Sequence, residues 1–384
     1  MDLTLFPPPA PPPPEPAELP TRIPHAEPAP VPASASEKLA ALDGRFHHPA
    51  GRLPKLIFLE SARGLAAIVV IIHHLLLAFY PQLKFESAYI AVPDAFQASP
   101  TTIAIYRSPL SVFFDGTFAV AFFFVLSGFV LSLSFFVSRK TSTVTSAAIR
   151  RYPRLMIPVL GTLLIAWTLG ETVGFPVTQI GVLMHHPADA WINAFYTQHV
   201  SLHHVFYEGT IETFFDFPTI TTLDPSLWTM PLELVNSYLV FAVLALIGNV
   251  RFRWAIYAAV VIGCLGQHNY VLVEFLSGLM LADLFVTSHW QTVRRWSAGM
   301  KQIVPIALIA FALCVVGLRF PISYNPHTPN WVVKLLPGVG ATVILIGLLL
   351  APALQRVLEI RPIAFLGKIS FGIYLIHHPI LASL

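Results

Sequence analysis

Leu59-Glu60-Ser61-Ala62-Arg63-Gly64-Leu65-Ala66-Ala67-Ile68-Val69-Val70-Ile71-Ile72-His73-His74, running on into Leu75, Leu76 and Leu77, decides the fold class of this chain. From residue 64 to residue 80 the run is almost wholly apolar, the length that a helix needs to cross a hydrocarbon core of about 30 Å. Arg63 and His74 are eleven positions apart, which at about 100° per residue is three turns plus about 20°, so the two share one helix face. His73 falls about 80° away from Arg63. The rise of about 16 Å carries His74 from a membrane-edge arginine to near the bilayer midplane. An ionisable group at that depth must face protein or a polar cavity. Two readings stay open on these grounds: a functional histidine, or one hydrogen-bonded between packed helices.

Eight further apolar segments follow, at 113–137, 155–174, 226–248, 253–267, 270–286, 303–319, 334–352 and 363–384. With 55% hydrophobic and only 11% charged residues, the chain has too little polar surface for a water-soluble globule. The expectation is an all-α, polytopic transmembrane bundle of about nine spans embedded in a lipid bilayer. The fifth and sixth segments are short and are separated only by Gln267, His268 and Asn269, so a re-entrant hairpin is the alternative there. Residues 1–54 hold 15 of the 34 prolines and no apolar stretch, which reads as a disordered, Pro-rich tail ahead of a domain at 55–384. Cys264 and Cys314 lie in apolar runs and read as packing residues, neither a disulfide framework nor a metal site. A formal charge of +3, spread along the chain, gives no reason to expect nucleic acid.

Where the basic residues fall sets the orientation. Arg139, Lys140, Arg150, Arg151 and Arg154 crowd the stretch after the second segment, whereas 175–225 contains no Lys or Arg at all. The positive-inside rule therefore puts the N-terminus and 138–154 in the cytoplasm and 175–225 on the other side.

Several constellations are candidates for chemistry. Ser127 and Gly128 fall near the middle of the second segment, either as close-packing residues or as a polar contact to substrate. Arg151 and Arg154 are either topology anchors or, with Arg63, a cationic rim for phosphates, which guanidinium groups bind bidentately. Glu233, Asn236 and Ser237 form a polar stripe at i, i+3 and i+4 that must face protein or water. His185, His186, His199, His203 and His204, with Glu208, Glu212, Asp216 and Asp224, populate the 175–225 loop without metal-ligand spacing, so a solvated or substrate-facing loop is expected and no metal site.

Six blocks, in order, resemble the acyltransferase-3 family of membrane-bound O-acyltransferases, in the version most similar to its fungal branch. They are Arg63 to Ala67 with His74, Phe123 to Phe129, Arg151 to Leu155, Leu227 to Glu233, Phe275 to Asp283, and Phe365 to His377. Glu60 stands where the family more often has Asp. The resemblance implies transfer of an acyl group, often acetyl from acyl-coenzyme A, to a hydroxyl of a carbohydrate, small molecule or secondary metabolite, with no permanently bound cofactor. It implies His74 as catalytic base, with Arg63 supporting the base or the donor. In the same picture Arg63, Arg151 and Arg154 take donor phosphates, and Ser127, Asn236, Ser237 or Glu233 orient acceptor or imidazole. The family's usual ten spans imply one more helix than the nine counted here, which would leave Tyr374 and His377 short of a burying neighbour. Rival readings are a proton-coupled transporter relaying through His74, Glu233 and Asp283, and an inactive truncated homologue.

Overall fold

A polar backbone crossing lipid must satisfy its hydrogen bonds within itself, and each of the nine apolar segments does so as a helix. In the computed structural model, which describes residues 56–79, 108–176, 199–218, 221–299, 303–318 and 329–383 with positions 101, 104 and 105, these are α1 (Ile57–Phe79), α2 (Gly116–Ser138), α3 (Thr141–Thr172), α4 (Thr229–Ile247), α5 (Arg253–Gly266), α6 (Tyr270–Phe285), α7 (Ile303–Gly317), α8 (Asn330–Leu350) and α9 (Arg361–Ser383). The Pro-rich tail 1–54, with His185 and His186, lies outside the described residues. Among the described residues there is no strand, and the chain is a helical membrane bundle.

Six helices are long and apolar enough to cross a membrane: α1, α2, α3, α4 with its leading turn from Pro225, α8 and α9. α5 and α6, of 14 and 16 residues, measure only about 21 and 24 Å, short of a hydrocarbon core. The turn between them is made by His268 at φ 56°, in the left-handed region. Ile149, Ile157 and Ile165 on α3 are exposed, as apolar side chains that face lipid are.

The boundaries have local causes. Asp115 caps α2 by accepting from the Thr117 and Phe118 amides at 3.0 and 3.2 Å. α2 then ends at Arg139, whose left-handed φ of 56° stops the helix. α3 corrects one expectation. The residues from 141 to 154 are the first three turns and more of a 32-residue helix and not a loop, because nothing between Thr141 and Arg154 breaks helical bonding before Pro153. Arg151 therefore sits about 15 Å inside the helix end and not at a rim.

α2 is the most enclosed of the long helices, with 72% of its apolar stretch buried, and α1, α3, α4, α6 and α8 pack against it. Its tightest partner is α6, and the reason is a pair of glycines. A Cβ on Gly128 would lie 2.0 Å from the Phe275 carbonyl oxygen, and one on Gly278 would lie 2.0 Å from that of Val125. Backbone cannot yield locally, so Gly128→Ala must push the helices apart, at a cost of about 1–3 kcal/mol or more. Thermal unfolding in detergent should show a clear loss for Gly128→Ala and none for Gly161→Ala, a site with nothing within 4 Å. Equal midpoints would contradict this account of the α2–α6 contact.

α9 packs along α1 through a second close approach, Gly64 against Gly367. Arg63 pairs with Ser370 and His74 with His377, in the same order on both helices, so α1 and α9 run parallel. Tyr374 and His377, expected to lack a burying neighbour, are 6% and 7% exposed because α1 and the turn at 225–228 cover them. Cys264 and Cys314 are both free thiols; Cys314 is exposed on α7 and is no core residue.

Candidate active site

Polar side chains meet inside this bundle in two layers, and α1 supplies one residue to each. In the first, Arg63 donates through Nε to Ser370 Oγ at 3.0 Å. Beside it Arg151, from α3, makes an ion pair with Glu233 and donates through Nε to Ser237 at 3.0 Å. Ser127 donates to the same Glu233 oxygen at 2.6 Å. Arg63 lies within electrostatic reach of Glu60, Glu233, Arg154 and Arg151. Three guanidinium groups thus face two carboxylates, which leaves an excess of positive charge suited to an anion. Arg154 is exposed at the edge of this layer.

The second layer is made of histidines. His74 Nδ1 lies 2.9 Å from His377 Nε2, and His377 Nδ1 lies 2.6 Å from the Tyr374 carbonyl. The His378 ring is centred 4.4 Å from that of His74 and 4.8 Å from that of His377. Tyr374 itself bonds Thr229 at 2.9 Å, which ties α9 to the start of α4. His73 turns away, its Nδ1 at 3.0 Å from the Phe114 carbonyl, so the helix geometry that paired Arg63 with His74 and excluded His73 describes the folded molecule. Along α1 the two layers are about 16 Å apart.

Of the Ser127-Gly128 pair, the glycine packs against α6 and the serine bonds Glu233. Glu233 points at Arg151 and Ser127 and makes no direct bond to His74; Asn236 is spent on the Leu232 carbonyl of its own helix at 2.8 Å, and Ser237 on Glu233 and Arg151. Asp283, the third residue of the transporter relay, is held by Arg139 and Arg253 at 2.5 to 3.3 Å. Measured along α2 from Ser127 to Arg139, that cluster lies about 18 Å from Glu233, so the three residues form no continuous chain.

Two of the four loop carboxylates are not solvated, whereas Asp216 is exposed. Glu208 and Asp224 are completely buried, joined through Thr222, which donates to Glu208 at 2.5 Å and accepts from the Asp224 amide at 3.1 Å. Burial pushes the Glu208 carboxyl up to about 7 and raises that of Asp224. Asp224 also accepts from Ser226, whose carbonyl meets Tyr374, so this network anchors the loop to α9.

The imidazoles of His74, His377 and His378 are the one set among the described residues whose ligand atoms converge, all within 4.8 Å, and His199, His203 and His204 join no such set. His74 Nδ1 and His377 Nε2 lie at a distance at which two neutral imidazoles share one hydrogen.

A sequence reading that looked for the histidine's helper on α4 missed His377 and His378. The signal was present in Ser370, Tyr374 and His377, spaced at i, i+4 and i+7 on one face of the last helix.

A half-buried histidine and a cationic layer thus lie inside a helical membrane bundle. The acyltransferase-3 domain model, described as an acyltransferase domain, matches residues 56–384, and the chain belongs to that family; it is an integral membrane acyltransferase. It is 22% identical to the acyltransferase clz18 of Cochliobolus lunatus, over 86% of this chain and 83% of that one. It is also 22% identical to the O-acetyltransferase PaAT-1 of Phomopsis amygdali, over 85% of this chain and 72% of that one. No solved structure matches it.

Proposed function

We propose that this acyltransferase moves an acyl group from acyl-coenzyme A to a hydroxyl of a small-molecule or carbohydrate acceptor, with His74 as general base. The observation that carries the reading is the two-layer arrangement: a cationic layer and a half-buried, hydrogen-bonded imidazole on one face of α1, separated by a length comparable to an extended pantetheine arm. The donor's phosphates rest against Arg63, Arg151 and Arg154. The thioester then reaches along α1 to His74. His74 takes the hydroxyl proton as the oxygen attacks the thioester carbonyl; the C–S bond breaks, and the imidazolium returns the proton to the departing thiolate. The O-acetyltransferase name of the Phomopsis relative favours acetyl as the group and oxygen as the acceptor atom. Orientation follows the charge rule, with the N-terminus and the start of α3 in the cytoplasm, where acyl-coenzyme A is supplied.

Detergent-purified protein should release coenzyme A thiol from acetyl-coenzyme A only when a hydroxyl-bearing metabolite extract is added; release without extract at the same rate would refute acyl transfer to an acceptor. Arg154 is exposed and makes no ion pair among the described residues, so Arg154→Ala leaves the fold intact. It should raise the KM for acetyl-coenzyme A about tenfold, the equivalent of one charge-assisted hydrogen bond, with the acceptor KM unchanged. An unchanged donor KM would remove Arg154 from the phosphate site.

A further inference from the structure

The hydrogen-bond chain through His377 fixes which nitrogen of His74 can act. A carbonyl oxygen only accepts, so the 2.6 Å contact from His377 Nδ1 to the Tyr374 carbonyl requires the hydrogen on Nδ1. A neutral imidazole carries one ring hydrogen, so His377 Nε2 is an acceptor. The hydrogen in the 2.9 Å contact with His74 Nδ1 then belongs to His74, and the in-plane lone pair of His74 is on Nε2. The neutral state of His377 follows from its setting. It is 7% exposed, it stacks beside His378, and among the described residues no carboxylate lies within ion-pair distance of it. An imidazolium there would be desolvated without a counter-charge.

We propose that His377 is a positioning residue: through the Tyr374 carbonyl and its own Nε2 it holds His74 as the Nδ1–H tautomer and presents Nε2 as the atom that removes the acceptor's proton. This deepens, and rests on, the reading of His74 as base. An unconstrained histidine side chain favours the Nε2–H tautomer, which would turn a hydrogen and not a lone pair to the acceptor. The rings of His377 and His378 pack against that of His74 at 4.9 and 4.4 Å, so the ring is restrained as well as its tautomer. A similar division of labour is known where a buried partner keeps a catalytic imidazole in one tautomer, and losing that partner costs up to about 10⁴ in kcat.

The test reads the tautomer directly. Full-length protein labelled with ¹⁵N-histidine and purified in detergent gives ring-nitrogen NMR signals that distinguish a hydrogen-bearing nitrogen from one with a lone pair, and His74 is assigned by the signals lost in His74→Gln. The expected wild-type pattern is hydrogen on Nδ1 and lone pair on Nε2. His377→Gln, whose side-chain oxygen reaches the place of Nε2, should keep that pattern. His377→Leu should convert most molecules to Nε2–H, and its kcat with acetyl-coenzyme A and extract should fall on the order of 10²-fold at unchanged donor KM. Glutamine should restore kcat to within a few-fold. A wild-type His74 with hydrogen on Nε2, or the same tautomer in the leucine variant, overturns the positioning role whether or not His74 is the base. An active His74→Asn enzyme would instead remove the base and leave the tautomer result standing.

Discussion

His74→Asn should lose acyl transfer by about 10²- to 10⁴-fold, the usual contribution of a general base, while the protein inserts and unfolds like wild type. Asparagine keeps a polar group that His377 can meet but accepts no proton at neutral pH, so it separates proton transfer from packing. His73→Ala is the matched control. His73 bonds the Phe114 carbonyl and meets the His74 ring only edge-on, with centroids 5.3 Å apart, so this variant should keep substantial activity. An active His74→Asn enzyme beside an inactive His73→Ala enzyme would reverse the assignment.

Glu233→Ala should be the most damaging change to stability in the first layer. The Arg151 and Glu233 side chains are only 17% and 12% exposed, and removing the carboxylate strands a guanidinium in the bundle with only Ser237 to receive it. Breaking such a pair from one side costs about 3–5 kcal/mol, against near-neutral replacement of both partners by apolar groups. The double variant Arg151→Met/Glu233→Met should therefore recover most of the thermal midpoint that Glu233→Ala loses. It should not recover transfer, because a cation of the donor site has gone. A double variant as active as wild type would make the pair a helix tie and nothing more.

Hydropathy and charge already showed where the helices lie, since lipid leaves a backbone only helical ways to satisfy itself, and all nine segments are helices, though α1 and α3 begin well before their apolar runs. The periodicity of one helix also separated His74 from His73. Where α3 begins was not legible, because a polar, basic stretch reads as a loop until its helical bonding is seen.

Within one helix, residue spacing is a rigid ruler, and so the sequence alone determined the shared face of Arg63 and His74 and the apolar character of the bundle. Between helices there is no such ruler. Which side chain on α9 or α4 meets which on α1 depends on crossing points set by Gly64 against Gly367 and Gly128 against Phe275, positions hundreds of residues apart in some cases. Tertiary structure alone therefore decided that Arg151 is buried against Glu233, and that Glu233 serves the arginines and not the imidazole. It likewise decided that the partner of His74 is His377, 303 residues away, because packing brings a second histidine within 2.9 Å of the first.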